Sequence, residues 1–96
     1  MNLTYHDDTK ARLRHWRDSD QPLYTAAATQ LEAIKLNPTG HGIDGTPFVP
    51  RLVTFGVPGR DEEYVITWDG PVGDVVFIAN VCSVTEMQQR ARLNRG

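Results

Sequence analysis

The sequence predicts an α+β domain, and three stretches predict it. Residues 62–68 and 74–81 are rich in β-branched and aromatic side chains and flank the turn formers Asp69-Gly70-Pro71-Val72-Gly73. That is the composition of a β-hairpin with a longer loop. Residues 8–36 repeat apolar positions at helical spacing, interrupted by the connector Asp18-Ser19-Asp20-Gln21-Pro22. After the hairpin, Ser83-Val84-Thr85-Glu86 has the form of a capping box, which opens a short C-terminal helix.

Taken in order, Asn2-Leu3-Thr4-Tyr5 is a short extended segment suited to a sheet edge, with Leu3 and Tyr5 on one face. A first helix runs from Asp7 or Asp8 to Arg17. Either aspartate can cap it, and an acidic first turn suits the helix dipole. Thr9, Leu13 and Trp16 form its apolar stripe, and Lys10, Arg14 and Arg17 form a basic one. Ser19 or Asp20 caps a second helix with Pro22 in its first turn. Leu23, Ala27, Leu31 and Ile34 are its inward stripe, and Asn37-Pro38 stops it after Leu36. The two helices fold back as a hairpin.

Residues 39–47 contain three glycines and a proline and match no phosphate-binding fingerprint, so they predict a mobile connector. Residues 48–55 are the next strand candidate, with Pro50 pointing to a late start or an exposed edge. In the hairpin, Tyr64, Ile66 and Trp68 share one face and Val65 and Thr67 the other. Its second run is apolar on both faces, as in a central or doubly covered strand. In the terminal helix Val84, Met87 and Ala91 should face inward, and Gln88, Arg90, Arg92 and Arg95 outward.

Composition bounds the function. The 96 residues make one domain, residues 1–96, with 40% hydrophobic and 23% charged content. The lone cysteine, Cys82, fits a reducing cytosol and a buried apolar role at a strand end. No apolar run suits a membrane span or a secretion signal, so a cytoplasmic protein with no membrane partner is expected. His6, His15 and His41 are scattered, and no ligand pair has metal-binding spacing; no metal or cofactor is expected. Net charge is −2, concentrated in residues 41–81, where Arg51 and Arg60 face six acidic residues. A protein that grips long nucleic acid usually carries a basic excess. Nucleic-acid or target contacts therefore fall to basic patches near the ends: Lys10, Arg14 and Arg17, and Arg90 and Arg92.

Arg60 is followed closely by Glu63 and Tyr64 at the start of the hairpin. With Arg51, such a set on a sheet surface could stabilise and protonate a phosphodiester leaving group, since arginine holds developing charge and Glu or Tyr moves protons. The alternative is a strand start decorated with solvated charge.

The order of elements resembles the RelE/ParE superfamily of bacterial toxins. The likeness is carried by the helical hairpin ending Leu31-Glu32-Ala33-Ile34-Lys35-Leu36-Asn37-Pro38, and by Asp61-Glu62-Glu63-Tyr64-Val65-Ile66-Thr67-Trp68 with Asp74-Val75-Val76-Phe77-Ile78-Ala79. The last two segments are similar to that family's central hairpin. The resemblance implies a two-helix layer on a small, twisted, mainly antiparallel sheet of three or four strands, with function on the concave sheet face. It also implies the toxin of a type II toxin–antitoxin system, wrapped by or assembled with a cognate antitoxin. Family members act either as metal-independent endoribonucleases on ribosome-bound mRNA or by poisoning DNA gyrase. For cleavage, Arg51 and Arg60 would stabilise charge, and Tyr64 or Glu63 would carry protons. The sequence departs from RNA-cutting members by having Tyr64 or Val65 where an arginine is common, and Cys82-Ser83 where a basic residue is common. These departures and the acidic middle leave a non-catalytic protein-binding domain as the alternative.

Overall fold

The computed structural model describes residues 1–43 and 51–95. The elements are β1 (Asn2–Tyr5), α1 (Asp7–Ser19), α2 (Gln21–Leu36), β2 (Arg51–Gly56), β3 (Glu63–Val72), β4 (Val75–Ser83) and α3 (Val84–Arg95). The strands form one sheet in the order β1-β4-β3-β2, antiparallel except where β1 lies parallel beside β4. The α+β architecture expected from the sequence is therefore present, with β4 central and β1 and β2 at the edges. No helix is long and apolar enough to cross a membrane among the described residues.

The helical hairpin begins differently in detail. His6, not Asp7 or Asp8, caps α1, its Nδ1 accepting from the Asp8 amide at 3.3 Å. Both aspartates instead occupy the first turn, where the dipole favours them. Asp20 caps α2, accepting from the Leu23 amide at 3.4 Å, and Pro22 sits in the first turn as expected. The stripe Leu23, Ala27, Leu31 and Ile34 is buried. Ala27 is wholly enclosed, so a larger side chain there would separate helix and sheet.

That stripe, with Trp16, packs on Phe55, Ile66, Trp68, Val76, Ile78 and Val81. Each Val, Leu, Ile or Phe among them contributes about 1.5–3 kcal/mol through the apolar surface it hides from water, and Ala27 less. The spacing of Ile78 and Val81 is odd for one face of a strand. A β-bulge explains it: Thr67 pairs with Asn80 and Trp68 with Ile78, so Ala79 is the extra residue. The carbonyl freed at Ala79 accepts from the buried Thr9 hydroxyl at 3.1 Å, which fastens α1 to the bulge. The second hairpin run is thus central as expected, but its far face is not fully covered, since Phe77 is exposed.

The hairpin loop is shorter than the sequence suggests. Strand pairing continues through the cis Gly70–Pro71 bond to Val72, leaving Gly73 and Asp74 as the turn. The described part of the connector after α2, expected to be mobile, is hydrogen-bonded to the sheet as far as Ile43. Trp68 Nε1 donates to the Pro38 carbonyl at 3.0 Å, and the His41 ring stacks on Trp68 at 6.3 Å. Ile43 exchanges two backbone hydrogen bonds with Leu52, at 2.9 and 3.1 Å. The rest of that connector, and residues 48–50 of the expected strand, lie outside the described residues.

Gly42 is the tightest point of this anchor. Its φ is +72°, and a Cβ there would overlap the Leu52 carbonyl and lie 2.7 Å from Trp68 Cη2. Gly73, at φ +63°, has open space around it. Gly73→Ala should therefore cost about 1 kcal/mol of backbone strain, and Gly42→Ala about 2–4 kcal/mol because overlap adds to strain. Urea unfolding of the two variants checks the order.

Candidate functional site

The four residues expected to carry cleavage chemistry do not converge. Arg60 and Tyr64 meet, with Arg60 donating to the Tyr64 hydroxyl at 3.5 Å. Arg60 is nevertheless committed elsewhere, because it forms a two-pronged ion pair with Asp20, both contacts at 2.7 Å. The partner is the N-cap of α2, so this fork ties the β2–β3 turn to the helical hairpin. It raises the Arg60 pKa further above its already high value and holds the Asp20 carboxyl below the usual carboxylate range. Tyr64 is also an aromatic wedge, edge-on to Trp16 and tilted against Phe55, each at 5.9 Å.

Arg51 stands opposite Trp68, whereas Tyr64 stands opposite Phe55. Four residues along a strand separate those positions, about 13 Å. The Arg51 guanidinium donates to the carbonyls of His41 and Gly42, at 2.9 and 3.4 Å, so it fastens the connector to β2. Glu63 is exposed and alternates onto the sheet face away from Tyr64.

The sheet face opposite α1 and α2 is poor ground for phosphate chemistry. Among the described residues Arg51 is the one cation in the strands, and its register puts it on the helix-covered face. On the opposite face Val65, Thr67 and Cys82 are buried at the end where α3 packs on β3 and β4. The Cys82 thiol is pushed up in pKa by burial, with Glu86 of α3 adding to the shift and Arg90 opposing it.

Basic groups gather on the helices instead. Lys10, Arg14 and Arg17 line one side of a cleft of about 220 Å³ whose other walls are Tyr5, Leu13, Tyr24 and Leu31. The stripe read from the sequence is therefore real, and the two tyrosines beside it were not foreseen. On α3, Arg90 and Arg92 are exposed as expected, while Ala91, expected inward, is exposed as well. Val84 and Met87 are half-buried, and the Arg95 side chain lies outside the described residues.

A second groove, of about 610 Å³, runs between α1 and α3 past Tyr64. Arg12, His15, Glu86 and Arg90 line it. Glu86 bonds Arg12 at 2.6 Å and Arg90 at 3.1 Å, which lowers its pKa chiefly through the Arg12 bond. Only half of the expected capping box forms. The Glu86 amide donates to Ser83 Oγ at 3.0 Å, but the Glu86 carboxylate turns to the two arginines. Thr85 is held by Glu62 through its amide and hydroxyl, at 3.3 and 3.1 Å. Arg12 was missed because it lies off the basic stripe. Its place four residues after Asp8 and three before His15 marks a second polar face of α1.

The class that these features define is a small α+β domain with a helical hairpin on one sheet face and its cations on helix surfaces. Protein-family models, curated proteins and solved structures yield no match to the chain.

Asp20 and Glu86 both have depressed pKa values. Each therefore stabilises the fold fully above its unfolded-state pKa and loses that contribution as pH falls through the lower folded-state value. The melting temperature should hold steady down to about pH 5 and fall toward pH 3. A double variant, Asp20→Asn with Glu86→Gln, should start lower and show a shallower fall in thermal melts across that range.

Proposed function

We propose that the chain is a growth-arresting toxin of the RelE/ParE type that acts by gripping a target rather than by cutting RNA. The element order and the two-helix layer on a mainly antiparallel sheet fit the architecture which the resemblance implies. One observation carries the choice of mode. The arginines of the sheet region are spent inside the fold, Arg51 on backbone carbonyls and Arg60 on Asp20. In-line cleavage by this set needs a guanidinium free to meet the phosphate and a proton carrier beside it. Lys10, Arg14, Arg17, Arg90 and Arg92 are exposed on α1 and α3, with Arg17 paired to Asp18 and Arg90 to Glu86 on the helix surface. They suit a negatively charged docking surface on a protein target such as DNA gyrase, with a cognate antitoxin as the neutralising partner and the cytoplasm as the setting.

A second reading is a non-toxic protein-binding domain with the same fold. It is favoured by the excess of carboxylates in residues 41–81.

Induced expression decides between them. Growth should arrest, recover on co-expression of the adjacent reading frame, and leave messenger RNA uncut by primer extension. Arg17→Glu combined with Arg92→Glu should relieve the arrest, whereas Glu63→Gln and Tyr64→Phe should not. Cleaved mRNA that disappears with Tyr64→Phe would overturn the binding mode, and normal growth would select the non-toxic domain.

A further inference from the structure

The cleft framed by β1, α1 and α2 has a chemistry that target docking does not require. Its basic side is made by Lys10, Arg14 and Arg17, spaced so that neighbours on the helix stand one turn apart. Arg17 shares its Nε with Asp18 at 3.2 Å. Lys10 and Arg14 have no ion-pair partner among the described residues. No carboxylate lines this cleft, although the chain as a whole carries net charge −2.

The facing walls are the rings of Tyr5 and Tyr24 with Leu31 below them. The same three residues open onto an adjoining hollow of about 420 Å³ bounded by Asn2, Glu32 and Lys35. A cationic end therefore leads past two phenols into an open hollow of mixed polar and apolar lining. Burial and the neighbouring Tyr24 raise the Tyr5 pKa, so near neutral pH its hydroxyl stays protonated and able to donate.

We infer that this cleft binds a 5′-phosphorylated nucleoside, its phosphate on Lys10 and Arg14, its base against Tyr5 and Tyr24, and its sugar or base edge toward Asn2 and Glu32. Guanidinium and ammonium groups bind phosphate through charge-assisted hydrogen bonds, and every nucleobase offers a face to an aromatic ring. Inorganic phosphate alone would leave the tyrosine and leucine walls wet. The two chambers together fall within the usual size of small-ligand pockets. The ligand is either a free nucleotide or the 5′-terminal nucleotide of an RNA, and its phosphate takes the same Lys10 and Arg14 that are offered to a target.

Calorimetric titration of the full chain with AMP, adenosine and inorganic phosphate tests the site. AMP should bind saturably, and roughly tenfold or more tighter than either fragment. Lys10→Gln with Arg14→Gln should weaken AMP by roughly tenfold or more and leave both adenosine binding and the melting temperature unchanged. Tyr24→Leu should weaken adenosine as well. A short oligoribonucleotide with a 5′-phosphate, compared with its 5′-hydroxyl form, identifies the source: tighter binding than AMP assigns an RNA end, and equal or weaker binding assigns a free nucleotide. Absence of saturable binding by both AMP and the phosphorylated oligonucleotide overturns the site. So does phosphate binding as tightly as AMP, or AMP affinity that is unchanged in the double variant.

Discussion

An extra residue in β4 decides which way the end of that strand faces. Without the bulge at Ala79, strict alternation from Val76 and Ile78 would turn Val81 away from the helices and Cys82 toward them. With it, Val76, Ile78 and Val81 all join the layer under Trp16, Leu23 and Ile34. The bulge also frees the carbonyl that receives the Thr9 hydroxyl. One local irregularity thus aligns the core and fixes the first helix over the centre of the sheet.

The same shift leaves Cys82 on the opposite face beside Val65, under the start of α3. That helix is held more by polar ties than by apolar area. Glu62 binds Thr85, Arg12 binds Glu86, and only Val84 and Met87 among its described apolar side chains are half-buried. Half-exposed ion pairs such as Arg12–Glu86 add little to stability, so their chief effect is to set where α3 lies. A closed, cation-free sheet end and exposed basic side chains on α1 and α3 divide the molecule into a scaffold side and a contact side. Fold alone does not name an activity, and the functional argument rests on this division.

The helices and the hairpin were legible because their signals are local. The stripe Leu23, Ala27, Leu31 and Ile34 repeats within one helix, and the hairpin strands announce themselves by β-branched runs. The site was legible only where it too was local, in the spacing of Lys10, Arg14 and Arg17. Arg60 looked catalytic because Glu63 and Tyr64 follow it, yet its partner Asp20 lies 40 positions earlier and the sequence does not bring them together. The acceptors of Arg51 are equally hidden, since they are backbone carbonyls that no composition reveals. His6 as an N-cap is an uncommon choice beside two aspartates. The α1–α3 groove needed the chain's two ends to be placed side by side before Arg12, Glu86 and Arg90 could be seen as one cluster.

At the α3 end of the sheet face opposite α1 and α2, Val65, Thr67 and Cys82 are closed off from solvent while Phe77 on the same face is exposed, and the chain's lone thiol reports on that closed end. Cys82 is fully buried there in the native fold. The most direct measurement is the rate at which a thiol reagent labels Cys82 in the folded protein, compared with the same protein in denaturant. Labelling limited by unfolding, and immediate in denaturant, is the result this account predicts. Native labelling as fast as that of a free thiol would show that end of the face open and contradict it.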